Sequence, residues 1–391
     1  MQITKEVAAL LPQVKRWRRD LHQIPELGLA EYETCRYLKK ELKTMGVPDT
    51  AIHQPLATAL VVVLEGATAG KCVAFRTDID ALPVTEATGV NFASRYPGRM
   101  HACGHDGHAA TMLGFTQYLL AHKQALVGRV VLIFQPAEEG PGGAQLLLDT
   151  GLLQELGVEQ IVGLHVFPEF PEGVIAARSG GMMARNGEVT ITVTGRSAHG
   201  AQPQQGQDAI LAMSAVIQAL HSIISRNLSP LDSAVLTFGK ISGGEAMNII
   251  PGKVTLEGTM RAFDDDVYET MVTRMETIVN QVAAGYDCHG EVEFRHMYRV
   301  VDNDPQMVAA LEKVAQDSYV TTPPYLLAED FSMYQQVFPG LFFFVGTRDE
   351  ERGYIHPLHS NKMQFDEKNL LGGIQCYLGL LAEFNQKGAK L

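Results

Sequence analysis

Residues 100–110 read MHACGHDGHAA, so His101, Cys103, His105 and His108 fall close together in a chain of 391 residues with 13 histidines and five cysteines. On an extended or looped backbone, residues two apart face the same side, so a thiolate and an imidazole at that spacing can converge on a metal ion. Cys103 and His105 fit that arrangement, with Gly104 free to turn between them. Read without a metal, the same stretch is a helix start that carries histidines. A metal site would also need ligands from elsewhere.

Further candidates stand where apolar runs end. VVLIFQPAEEG places Glu138 and Glu139 just past a run that reads as a buried strand, with Pro136 and Gly140 ending regular structure. Two adjacent carboxylates can divide labour, one coordinating a metal and the other taking a proton from water; the plain alternative is a solvated acidic loop. IVGLHV puts His165 at the end of the next run, and YIHPLHS offers His356 and His359, between which the spacing does not choose. Asp78 and Asp80 in RTDIDALP follow another strand and are placed to orient a ligand histidine from behind.

The elements that must hold these residues read as α/β. Amphipathic helical spacing covers Leu10 to Met45, with a break near Pro25. Short apolar runs follow at 60–64, 72–75, 130–134 and 161–166, with helical stretches at 107–122 and 142–153. Buried strands alternating with helices predict a mixed, largely parallel sheet, whose site lies beyond the carboxyl ends of its strands. From about Met182 the texture changes. EVTITVT alternates as a half-buried strand, and the order to His296 is β-α-β-β-α-β, the ferredoxin-like unit. A helix near 304–317, an apolar strand at 341–345 and a helix at 367–384 resume the first pattern. The expected organisation is a discontinuous catalytic, metal-binding domain, 1–181 and 297–391, interrupted by an inserted α+β lid and dimerisation domain, 182–296.

Composition bounds the function. Hydrophobic residues are 46% and charged residues 19%, a globular balance, and the net charge of −12 disfavours a nucleic-acid partner, which demands a basic surface. The N-terminus lacks the apolar core of a signal peptide, and no apolar run approaches the roughly 18 residues of a membrane span, so no membrane partner is expected. Five widely spaced cysteines favour reduced thiols and a cytoplasmic location.

The segments RRDLHQIPELGLAEYET, RTDIDALPVTE, MHACGHDGHAA, FQPAEEGPGGA, GRSAHGAQP, NIIPGKVTLEGTMRAFD, AEDFSMY and PLHS occur in that order over about residues 16–380. Together they resemble the di-metal N-acyl-amino-acid amidohydrolases, the group that contains hippurate hydrolase and the indole-acetyl-amino-acid hydrolases. The resemblance implies two divalent metal ions per subunit, with Cys103 as the shared ligand and His105, Glu139, His165 and His359 completing the two sites. It selects His359 over His356, makes Glu138 the general base, and assigns His199 to polarise the scissile carbonyl, with Asn248 and Arg261 binding the substrate or its carboxylate. Thiolate and imidazole favour zinc, with Mn, Co or Ni as alternatives. The implied substrate is a small N-acyl or N-aroyl amino acid, and the implied assembly a homodimer, or a higher homo-oligomer, formed through the lid. One departure concerns the AEDF segment, where Leu327 stands in a place that the family often gives to glycine.

Other readings of the same residues are dipeptidase or carboxypeptidase cleavage at this site, a Cys103 thiol nucleophile, and a metal-containing binding protein without catalysis. The thiol mechanism leaves Glu139, His165 and His359 without a role. A mere binding protein has no use for a base at Glu138.

Overall fold

Runs such as CVAF and VVLIF are apolar on both faces and must be covered on both. In the computed structural model, which describes residues 1–386, they lie in the middle of an eight-stranded sheet. Its order is Ile52–His53, Leu60–Glu65, Val127–Gln135, Thr68–Asp78, Gln160–Pro171, Gly340–Arg348, Ile175–Ala177 and Tyr319–Thr321. The four central strands run parallel to one another, whereas Leu60–Glu65 and Ile175–Ala177 pair antiparallel with their inner neighbours. The sheet is therefore mixed and largely parallel, as expected.

The helices Leu11–His22, His105–Ala121 and Leu370–Gln386 share one apolar core with this sheet. Phe75 lies 4.7 Å from Phe115 and 4.8 Å from Tyr377, centroid to centroid, so strand and two helices meet on one aromatic cluster. One expected helix differs. The 142–153 stretch is two short helices, Gly143–Leu148 and Leu152–Glu155, parted where Gly151 adopts a left-handed φ of 73°.

The chain divides into two compact units. The first comprises Met1–Gly180, Asp302–Pro323 and the described chain from Asp330; the second comprises Gly181–Val301 and Pro324–Glu329. Compared with the 182–296 expected for the insertion, the second unit extends to Val301 and gains a returning segment. Within that unit the Ala184 amide donates to the carbonyls of Tyr325 and Leu327.

The second unit is a four-stranded antiparallel sheet in the order Ala234–Gly243, Lys253–Ala262, Arg185–Thr194, His289–His296. Its helices are Ala209–Leu220 and Asp265–Ala284, each started by an aspartate, Asp208 or Asp264, whose side chain accepts two backbone amides. Val189, Ile191 and Val193 of EVTITVT all point inward. The segment Ala209–Asn227 corrects one expectation, because its 19 residues are long and apolar enough by composition to cross a membrane. Ala212, Met213, Val216 and Leu220 are instead buried in the core of this unit.

A buried polar chain holds the start of the helix that opens with His105. Asp106 accepts from Arg18 Nε at 2.8 Å and lies 2.7 Å from His22 Nδ1; His22 Nε2 is 3.2 Å from Glu86 Oε1. Burial opposes ionisation of Glu86, but His22, the Ser94 amide and the Thr88 hydroxyl outweigh it and lower its pKa from 4.5 to about 2. A carboxyl whose folded pKa is depressed stabilises the fold above its unfolded pKa and loses that contribution as pH falls through the folded one. Denaturant unfolding followed from neutral pH down through 4.5 toward 2 should therefore show wild type losing stability more steeply than Glu86→Gln. Parallel curves would contradict the assignment.

Candidate metal centre

Five chain segments converge at one edge of the large sheet. The strand Thr68–Asp78 delivers Asp78 and, two residues on, Asp80; the strand Val127–Gln135 leads through Ala137 to Glu138 and Glu139. Gln160–Pro171 pairs with its neighbour only as far as Gly163, opposite Arg76, so His165 stands just past the last pair on that side. Gly104, at φ 96°, turns the chain between Cys103 and His105, and a Cβ there would lie 2.4 Å from Val166 Cγ2. His359 comes from the far end of the sequence. It holds a left-handed φ of 65°, and its amide donates to Ala102 O at 2.9 Å.

These segments bring six donors together. The ligand atoms of Cys103, His105 and His165 lie within 4.8 Å of one another, as do those of Cys103, Glu139 and His359 and those of His105, Glu138 and Glu139. Cys103 Sγ is 3.3 Å from His165 Nε2, and Glu139 Oε1 is 3.1 Å from His359 Nε2. Cys103, His105, Glu138 and His165 are buried, whereas the His359 side chain is 54% exposed.

The ring nitrogens that face away from the cluster are already used. His105 Nδ1 meets the Asp80 carbonyl at 3.0 Å and Asp80 Oδ1 at 3.2 Å, and His165 Nδ1 meets Val166 O at 2.6 Å. A histidine that donates Nδ1–H to an oxygen presents Nε2 as a bare lone pair. His105 Nε2 points into the cluster, buried without a hydrogen-bond partner. Thiol, imidazole and carboxylate donors of this kind fit two cations that share Cys103. His108 does not fit, although it lies near Asp78 and His105. Its Nδ1 is 2.6 Å from Asp78 Oδ1 and its Nε2 accepts the Val166 amide at 2.9 Å, so both nitrogens are committed.

The charges press the same way. Burial, with Glu139, Glu138 and Asp78 around it, drives the Cys103 thiol well above its usual pKa. Burial disfavours protonated His105, but Asp78, Asp80 and Glu139 override it and raise its pKa to about 10, so a bound cation would take the place of the Nε2 proton. Burial and His108 press His165 well below the ordinary imidazole value. A concentration of acids that suppresses thiolate formation is what a divalent cation relieves. His101 is different: burial lowers it to about 3, and it is a neutral ring whose nitrogens have no hydrogen-bond partner.

Sequence reasoning passed over the layer beneath the cluster. Arg76, fully buried, donates to Asp78 Oδ2 at 2.8 Å, Asp330 Oδ1 at 2.6 Å and Gln135 Oε1 at 2.8 Å; Tyr334 also donates to Gln135 Oε1, at 3.0 Å. The available signal was an arginine inside an otherwise apolar strand, since a buried guanidinium requires carboxylate partners.

His199, Asn248 and Arg261 belong to the second unit. His199 pairs with Ile249 across the short ladder formed by Ala198–His199 and Ile249–Ile250, and the Gly200 amide donates to Asn248 O at 2.8 Å, so His199 and Asn248 are neighbours. His199 Nδ1 accepts the Ala201 amide at 3.0 Å, which assigns the ring proton to Nε2. Arg261, on the strand Lys253–Ala262, donates to Thr259 Oγ1 and to Met260 O.

The model of Peptidase family M20/M25/M40 matches residues 74–383. Thermostable carboxypeptidase 2 of Saccharolobus solfataricus is 35% identical over 99% of this chain and all of its own length. IAA-amino acid hydrolase ILR1-like 4 of Arabidopsis thaliana is 37% identical over 94% of this chain and 84% of its own. Among solved structures, the YXEP protein of Bacillus subtilis, described as a dinuclear metal-binding peptidase from the M20 family, superposes with a TM-score of 0.85 at 30% identity, covering 97% of this chain and 99% of that one.

Asp80 serves two members of the cluster, since its Oδ2 also accepts the Glu139 amide at 3.0 Å. Asp80→Ala should weaken divalent-metal binding by about 10- to 100-fold, measured by titration calorimetry. Wild-type affinity in that variant would remove Asp80 from its role.

Proposed function

The chain belongs to Peptidase family M20/M25/M40, and on that premise we propose that it hydrolyses the amide bond of N-acyl or N-aroyl amino acids, releasing a carboxylic acid and a free amino acid. The observation that carries this reading is the pair of three-residue groups that share Cys103, with Glu138 beside them. The likeness to an IAA-amino acid hydrolase supports the substrate class. Cys103, His105, Glu139, His165 and His359 are proposed to hold two divalent ions, zinc before Mn, Co or Ni, because thiolate and imidazole donors suit it.

Bound metal would supply Lewis acidity and a nucleophilic water at neutral pH. Glu138 takes the proton of the attacking water and returns it to the departing amine. His199, with its ring proton on Nε2, has the donor needed to stabilise a developing oxyanion. Arg261 and Asn248 are proposed to grip the substrate carboxylate, for which a guanidinium offers bidentate geometry.

A second reading, carboxypeptidase or dipeptidase cleavage by the same residues, is favoured by the likeness to a carboxypeptidase over the whole chain. A panel of N-acyl amino acids, N-aroyl amino acids and dipeptides, assayed with several divalent metals, separates the two. All five cysteines are free thiols, which supports a cytoplasmic location.

A homodimer formed through the second unit is also proposed. Ile210, Leu211, Ile241 and Ile249 of that unit are all more than 40% exposed, apolar side chains that a second copy would cover. Sedimentation at micromolar concentration should give twice the chain mass; an active monomer would refute it.

Chelation should abolish hydrolysis and added metal restore it. Glu138→Ala should keep both ions and lower kcat by about 100- to 10,000-fold. Full turnover by rigorously metal-free protein would overturn the proposal.

A further inference from the structure

Ala137 separates the strand end at Gln135 from the two glutamates and holds φ at 58°, a left-handed conformation that residues other than glycine rarely adopt. Its peptide groups are fixed on both sides. The carbonyl accepts the amides of Gly142 and Gly143 at 3.0 and 3.1 Å, and the amide donates to Glu31 Oε1 at 2.8 Å. Glu31 is fully buried and precedes the helix Tyr32–Thr44 without capping it, so its carboxylate is directed at Ala137 instead.

The residues before Glu31 lie against the same loop. A Cβ on Gly28 would come 2.3 Å from Gly140 O and 3.0 Å from Ala137 Cβ. Glu26 O accepts the Ala81 amide at 2.8 Å, so one short segment braces both the Glu138 loop and the chain just after Asp80.

We propose that Glu31 is a positioning residue for Glu138, acting by holding the Ala137 peptide in the conformation from which Glu138 projects. This rests on the reading of Glu138 as the general base. Glu139 has its own tether, its amide bonded to Asp80 Oδ2. Loss of Glu31 therefore falls on the base and spares the metal ligand. An acceptor oxygen is what the Ala137 amide requires, and glutamine keeps one.

The test combines hydrogen–deuterium exchange over residues 136–143 with kcat, KM and bound metal, on the metal-loaded full chain. Glu31→Ala should accelerate exchange in that segment on the order of tenfold, because the amide loses its buried partner. It should lower kcat by about as much, with KM and metal content unchanged, and Glu31→Gln should stay near wild type in every measurement. Unchanged exchange in Glu31→Ala, equal damage in Glu31→Gln, or a kcat loss that only tracks lost metal would overturn the proposal. Should Glu31→Ala not fold, Gly28→Ala must accelerate the same segment by pressing on Gly140 O, and unchanged exchange there refutes the brace. A wild type inactive on every substrate defeats the functional reading alone, while the exchange measurement still decides on Glu31.

Discussion

Asp80 makes three contacts at once: its carbonyl and Oδ1 face His105 Nδ1, and its Oδ2 receives the Glu139 amide. Those contacts fix a histidine at the start of a helix and a glutamate just past a strand toward one point. They also add a carboxylate to a place already crowded with Asp78, Glu138, Glu139 and Cys103. Acids gathered out of water repel one another and demand positive charge. Arg76, beneath, answers Asp78 and Asp330; the side that faces Cys103 is left to histidines and, in the proposed enzyme, to metal ions.

The same crowding sets the roles of the three buried histidines around Asp78. His108 is committed to Asp78 and the Val166 amide, so it props the wall of the site. His105 and His165 each give Nδ1 to an oxygen and turn Nε2 inward. Identical side chains thus become wall or ligand according to which nitrogen the surrounding backbone claims.

Much of this was legible because it followed period and punctuation. The alternation in EVTITVT identified Val189, Ile191 and Val193 as the inward set, and the ends of apolar runs located Glu138, Glu139 and His165 in the sequence, although the strand that carries His165 runs on to Pro171. What stayed hidden depends on distant partners. Spacing could not choose between His356 and His359, because the geometry of His359 rests on a left-handed backbone and an amide bonded to Ala102. Arg76 was overlooked because Asp330, which answers it, lies 254 residues away. The strands Ile175–Ala177 and Tyr319–Thr321 are three residues each, too short to show a period. Glu31 sat inside a recognised motif, but its target is a backbone amide, which leaves no mark in sequence.

The insertion has a consequence for the order in which the chain is made. Gln160–Pro171 pairs in parallel with Gly340–Arg348, and all of Gly181–Val301 is synthesised between them. The second unit carries its own core, so it can fold while the large sheet still lacks a central strand. His359 emerges later still. On the ribosome, Cys103, His105, Glu139 and His165 must wait with the strand beside them missing, and the cluster closes only after His359 has followed that strand out.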